Sequence, residues 1–258
     1  MKRKSLNTIR NNMPAIAAII ILLAVWQFVC SAGIVPDFML PSPVDVAKAM
    51  VGDAGLLLHH SRVTLVEAVC GLAIGVLAGL IIAILMDMFD LLYRANYPIL
   101  VITQTIPTIA IAPLMVLWFG YEMTPKVILV ALATFFPIAV GLLDGFRSVD
   151  EDSLNLLRSM GAGKVKLFRY IKFPSALPHF FSGLKIAASY SIVTAVVSEW
   201  LGGFQGLGIY MTKVKKAYAF DKLFAVIIVI SVVSLLLIFA VRVIERKSMP
   251  YMHLDEEH

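Results

Sequence analysis

Charge is what this sequence has least of. Only 15% of its 258 residues are Asp, Glu, Lys or Arg, while 60% are hydrophobic; a soluble domain carries roughly a quarter charged. That shortage excludes an ordinary soluble fold. Cysteine is nearly missing too. Cys30 and Cys70 both lie in apolar runs. They read as small buried hydrophobes, and their spacing fits neither a disulfide framework nor a metal site. Paired catalytic residues at depth are lacking as well. Gly161-Ala162-Gly163-Lys164 has the look of a phosphate loop but fails the pattern. The pattern needs glycine where Arg158 stands and Ser or Thr where Val165 stands. So no enzymatic activity and no cofactor is expected of this chain. His59-His60 reads as a solvated helix start, and the acidic tail with His253 and His258 as a disordered end. The net charge of +5 does not point to nucleic acid, because the basic residues gather at the ends of apolar segments.

What is present is a series of long uncharged runs: Asn11 to Pro36, Ala68 to Met86, Ala95 to Tyr121, Val127 to Leu143 and Leu223 to Val241. A hydrocarbon core of roughly 30 Å takes about 20 apolar residues of helix to cross. The fold class is therefore all-α, a polytopic membrane protein with about six transmembrane helices, near 14–34, 63–86, 96–118, 126–145, 179–201 and 222–243. No loop is long enough to fold alone, so residues 1–258 read as one transmembrane domain with a core at about 61–243. The opening Met1-Lys2-Arg3-Lys4 and its apolar run look like a secretory signal. The run is too long for one, and Val29-Cys30-Ser31-Ala32 lacks a small residue just before its cysteine, so an uncleaved first helix is expected. With the amino terminus inside, fourteen Lys and Arg fall on inner segments and seven on outer ones. That bias puts both termini in the cytoplasm.

Several residues stand out within the spans. Gly71, Gly75 and Gly79 recur every four residues. Lipid offers helices little hydrophobic reason to associate, so close backbone approach at such small residues has to supply it. The third span carries Pro98, Pro107 and Pro113 and should be kinked or broken. Irregular backbone at membrane depth is tolerated in the protein interior or along a water-filled cavity. Thr103 and Gln104 therefore read as a pathway wall. Tyr190, Ser191, Thr194 and Ser198 make a polar stripe on the fifth span, expected to line the same pathway from the opposite side. Glu199 lies near the outer end of that span. It either forms an outer gate, orders the Gly202 to Gly208 turn, or simply reaches the interface. Lys185 is expected to snorkel towards the inner surface.

The inner segment 146–178 holds the most information. Asp150, Glu151 and Asp152 fit the positive amino end of a short helix, which continues through Leu154, Asn155, Leu156, Leu157 and Met160. Gly161-Ala162-Gly163 ends it. A second short helix over Lys164 to Ile171 carries Val165, Phe168 and Ile171 on one side, and Pro174 and Pro178 close the loop and start the fifth span. Two amphipathic helices at a glycine corner need a partner for their apolar face.

This loop resembles the cytoplasmic loop of ABC importer permeases of the binding-protein-dependent type. Their motif runs Glu-Ala-Ala, three residues, Gly, nine residues, Ile-x-Leu-Pro. Gly161, Ile171 and Pro174 match in register, while Asn155-Leu156-Leu157 departs from Glu-Ala-Ala. Ala112-Pro113-Leu114, Leu117-Trp118-Phe119-Gly120, Phe135-Phe136-Pro137, Ser182-Gly183-Leu184-Lys185, Ser198-Glu199-Trp200 and Gly206-Leu207-Gly208 extend the likeness over about 95–211. The pattern looks most like the nitrate, sulfonate and taurine group, near permeases for thiamine-type pyrimidine precursors or riboflavin. The resemblance implies a type I importer in a bacterial plasma membrane. Its pathway is formed by two copies of the permease among membrane lipid. Two cytoplasmic ATPase subunits bind ATP and Mg, and an extracellular or periplasmic binding protein delivers solute. It also implies that the helix at about Asp152 to Met160, with Gly161, Ala162, Phe168, Ile171 and Pro174, is the element that meets the ATPase. An ion-coupled carrier or a membrane enzyme is the competing class, but Glu67, Asp144 and Glu199 all read as lying near span ends. A flat ring as solute is favoured over a sulfonate or nitrate, with Phe135, Phe136, Tyr190 and Trp200 as ring partners.

Overall fold

The structure is a computed structural model that describes residues 2–36 and 39–250, with side chains from residue 13 onward except Ala15. The tail with His253 and His258 lies outside the described residues. Among these, every regular element is helical: α1 (Lys2–Ser31), α2 (Pro43–Gly52), α3 (Ala54–Met88), α4 (Asp90–Thr105), α5 (Thr108–Phe119), α6 (Met123–Arg147), α7 (Glu151–Ser159), α8 (Lys164–Leu167), α9 (Phe173–Glu199), α10 (Leu207–Lys216) and α11 (Phe220–Ser248). Four helical runs are long and apolar enough to cross a bilayer, namely α3, α6, α8 continued into α9, and α11. The pair α4 and α5 would make a fifth span but bends by 95° between its halves. The apolar part of α1, Ile16–Ser31, is shorter than a full span.

The break in the third span falls at Ile106 and Pro107, which are extended. Proline has no N–H to give and disfavours helical backbone in the residue before it. Pro98 and Pro113 sit inside α4 and α5 without breaking them.

The chain divides into two compact units, Met1–Leu58 with Tyr210–Val229, and His59–Ile209 with Ile230–His258. The larger unit holds the core, where α6 and α9 pack Ile138, Ala139, Leu142, Phe146, Ala187 and Ala188 out of solvent. Small residues set the spacing. A Cβ on Gly183 would lie 2.4 Å from the Pro137 carbonyl oxygen, and one on Gly145 would lie 2.7 Å from Ala176 Cα. Helix α3 closes on α6 in the same way. A Cβ on Gly71, Gly75 or Gly79 would come within 2.4 Å of Val130, 2.1 Å of Thr134 or 2.9 Å of Ile138. Side chains there would push the helices apart.

In the smaller unit α2 starts at Ser42, whose hydroxyl accepts from the Asp45 N–H at 3.2 Å, with Pro43 at the first helical position. Val46, Ala49 and Ala225 are buried together, with Trp26 and Phe224 packed against them. Asp53, which follows α2, accepts from the Tyr210 hydroxyl at 2.6 Å and faces Lys222 Nζ at 2.7 Å. Those two donors hold its carboxyl below the usual carboxylate range.

Several sequence expectations need correction here: Cys70 is exposed, not buried, and His60 is buried well inside α3, which starts at Ala54, not solvated at a helix start. Pro174 and Pro178 do not close the loop and start a new helix. Helix runs unbroken from Lys164 to Glu199, through a π turn at Phe168–Lys172. There the Phe173 N–H donates to the Phe168 carbonyl, five residues back. The wider turn brings Pro174 to the first positions of α9, where its missing N–H is tolerated.

Candidate functional site

Three groups of side chains stand out in the larger unit. The first surrounds the break. Thr103 and Gln104 on α4, Ile106 in the corner, Thr108 on α5, Phe135 on α6, and Tyr190 and Thr194 on α9 line a cavity of about 450 Å³. A second cavity of about 380 Å³ shares Thr108 and Thr194 and reaches Pro107 and Ser198. The lining of both is free of ionisable cations and carboxylates. Polarity comes from hydroxyls and one amide. The Thr103 hydroxyl donates to the Leu100 carbonyl at 2.7 Å, which leaves its lone pairs as acceptors. Tyr190 is 52% exposed and Phe135 half-buried, so aromatic surface stands on two sides.

The polar stripe on α9 is therefore split. Tyr190 and Thr194 face the cavity with Thr103 and Gln104. Ser191 does not: it is fully buried, and its hydroxyl donates back to the Ala188 carbonyl at 2.8 Å. Ser198 reaches the second cavity by its edge but is nearly buried, donating to Ala195 at 2.7 Å. At 100° per residue, a stripe of four residues three or four apart is wider than one cavity mouth.

The second group lies below the Gly202 to Gly208 turn. Glu199 is fully buried. One carboxylate oxygen accepts from the Thr64 hydroxyl at 2.7 Å, and the other accepts from the Gly208 N–H. Thr64 in turn accepts from the Leu207 N–H at 2.9 Å, and His60 Nδ1 accepts from the Gly206 N–H at 3.0 Å. Gly206 has φ +123°, and a Cβ there would run into the Glu199 carboxylate. Beside them Lys126 Nζ meets Glu67 at 2.8 Å, with both side chains almost wholly buried. Glu199 thus lies buried beneath the turn and hydrogen-bonded to it. The sequence reading missed its partners. The signal was there, since His60, Thr64 and Glu67 recur four and three apart along one face of α3.

Lys185 has a partner the sequence reading did not give it: its ammonium meets both oxygens of Glu245 on α11, at 3.0 and 3.1 Å, while a third of its side chain stays exposed. A partner sixty residues away is invisible to a reading that takes one span at a time.

The third group is the loop. Helix α7 is capped by Asp150, whose side chain accepts from the Ser153 N–H at 3.2 Å, with Glu151 and Asp152 in its first turn. Gly161, at φ +81°, ends it, and the Ala162 N–H reaches back to the Leu157 carbonyl at 3.0 Å. Asn155 accepts from Arg158 at 2.9 Å. Leu154 and Leu167 turn inward, while Leu156 and Met160 are 62% and 77% exposed. Phe168, Ile171 and Pro174 are half-buried at the π turn. An exposed Leu and Met on a capped, short helix form an apolar knob presented outward.

Comparisons with known proteins bear on the family and the fold. The profile of the family described as binding-protein-dependent transport system inner membrane component matches residues 75–249. A probable ABC transporter permease protein of Haemophilus influenzae is 39% identical over 86% of this chain and 90% of its own length. The formylaminopyrimidine transport permease of Halalkalibacterium halodurans is 35% identical over 90% and 93%. Among solved structures, the inward-facing MetNI methionine ABC transporter superposes with a TM-score of 0.67 at 20% identity, over 75% of this chain and 96% of that one; at that identity the likeness speaks to the fold.

Proposed function

Because the chain belongs to the family of binding-protein-dependent transport system inner membrane components, and so is a permease subunit of an ABC importer, we propose that it forms half of a pathway for a small, neutral, flat-ring solute of the formylaminopyrimidine kind. Two copies would bring their broken α4–α5 spans and α9 faces together, each contributing one cavity wall. Two ATPase subunits would receive the knob of Leu156 and Met160, and a binding protein would deliver solute on the other side of a bacterial inner membrane, with both termini in the cytoplasm. Hydrolysis of ATP belongs to those partners. The pathway residues of this reading are Thr103, Gln104, Tyr190 and Thr194.

The observation that carries the substrate class is the chemistry of the cavity. A sulfonate or nitrate would need a cation or a dense set of donors to replace its water. The lining of Thr103, Gln104, Phe135, Tyr190 and Thr194 offers aromatic faces and neutral hydrogen-bonding groups instead, which suit a pyrimidine ring. The 35% identity to a formylaminopyrimidine permease points the same way.

The test is uptake by proteoliposomes holding this chain, its ATPase subunit and its binding protein. ATP-dependent accumulation of labelled formylaminopyrimidine is expected, reduced about tenfold or more by Gln104→Ala or Tyr190→Ala, the loss of one buried polar or aromatic contact. Accumulation of taurine or nitrate in its place overturns the ring reading. Accumulation without the ATPase overturns the importer reading.

A further inference from the structure

A separate cavity of about 310 Å³ opens between the loop and the end of α3, bounded by residues from Ile84 to Lys172. Its walls are of two kinds. Ile84, Met88, Leu167 and Phe168 are apolar, while Arg158, Lys164 and Lys172 bring three cations against the single carboxylate of Asp87. Lys172 Nζ lies 2.7 Å from Asp87, so that pair cancels. Arg158 donates to the neutral Asn155 at 2.9 Å. Lys164 makes no salt bridge among the described residues. Two positive charges are left uncompensated at the mouth of an apolar cleft. The chain beside it, Met88, Phe89 and Leu91, is 49%, 53% and 79% exposed, an apolar skin that belongs against hydrocarbon.

Each occupant meets this pattern differently. A free phosphate would satisfy the cations and leave Ile84, Met88 and Phe168 wet. A neutral lipid would cover the apolar wall and leave Arg158 and Lys164 unpaired. An anionic phospholipid does both at once. We propose that this cavity seats the phosphate headgroup of an anionic phospholipid between Arg158 and Lys164, with an acyl chain along Ile84 and Met88. The site sits against α7, so a seated lipid would brace the base of the knob.

Native mass spectrometry of the assembled transporter, this chain with its ATPase subunit, tests the site by titration with phosphatidylglycerol and, separately, phosphatidylcholine. Phosphatidylglycerol should bind first. Lys164→Gln should weaken it about fivefold and Arg158→Gln with Lys164→Gln about 25-fold, the worth of one and two basic residues at an anionic surface. Lys213→Gln, an exposed lysine on α10, should change nothing. Equal binding of the two lipids, or unchanged binding in the double variant, overturns the proposal. So does displacement by 10 mM inorganic phosphate alone, which would make the cleft a small-anion site. Binding seen for the isolated chain but lost in the complex would give the cleft to the ATPase and also overturn it.

Discussion

Lys126 and Glu67 are two ionisable side chains in a region where neither has water, and each is tolerable only because of the other. Removing one leaves the second charge buried alone. Lys126→Met should therefore cost about 3–5 kcal/mol, whereas Lys126→Met with Glu67→Leu should recover most of that loss, since a buried ion pair replaced by apolar groups is often neutral or better. Thermal unfolding in detergent reads both, and a double variant no more stable than the single one contradicts the pairing. Asp53 gives a pH dependence of definite sign. Its carboxyl is held low by Lys222 and Tyr210, so its contribution is fully present above the ordinary value of 3.8 and is lost as pH falls below it. The melting temperature should drop from pH 6 to pH 3, and Asp53→Asn should flatten that slope. The sequence shows such residues but not their partners. Glu199 carries the same letter whether it reaches the interface or lies beneath a turn. The difference is made by Thr64 and Gly208, and Thr64 comes from another span.

Among elements, the capped helix α7 was legible because its signals are local: Asp150 before it, acids in its first turn, Gly161 after it. The break at Pro107 was legible for the same reason. The π turn at Phe168–Lys172 was not. Nothing in Phe-Arg-Tyr-Ile-Lys announces an extra residue per turn, and Pro174 just beyond it reads as a stop until the wider turn is seen to accommodate it. The turn absorbs one residue more than an ordinary helix would hold there, so α8 and α9 keep nearly the same angular phase across it. Deleting Arg169 should therefore leave the orientation of α7 and α8 nearly unchanged, whereas inserting one alanine after Ser175, in the regular part of α9, should turn them by about 100°. Stimulation of the ATPase by loaded binding protein should survive the deletion and fall to the basal rate with the insertion. Stimulation lost in both variants, or in neither, contradicts that role of the turn.

For the whole molecule, the all-helical membrane class and the main apolar runs could be read from composition and run length, because bilayer thickness imposes both, although four runs, or five with the bent α4–α5 pair, are long enough to span where about six were expected. Which face meets the cavity could not, because that depends on how α9 is turned by its packing on α6. The split of the polar stripe can be checked directly. In a background without Cys30 and Cys70, cysteine at Tyr190 or Thr194 should react with aqueous thiol reagents, and cysteine at Ser191 should stay protected. Labelling at all of these positions, or at none, would place α9 in a different orientation. The buried pair of Glu67 and Lys126 also has a consequence in time. Its members are 59 residues apart, and Thr64 and Glu199 are 135 apart. At roughly 5–20 residues per second of synthesis, Glu67 waits about 3–12 s in the ribosome's wake for its counter-charge. Thr64 waits about 7–27 s for its acceptor. The nascent chain must therefore be sheltered, or stay unpacked, until α6 and then α9 have emerged, and the order of translation becomes an order of assembly.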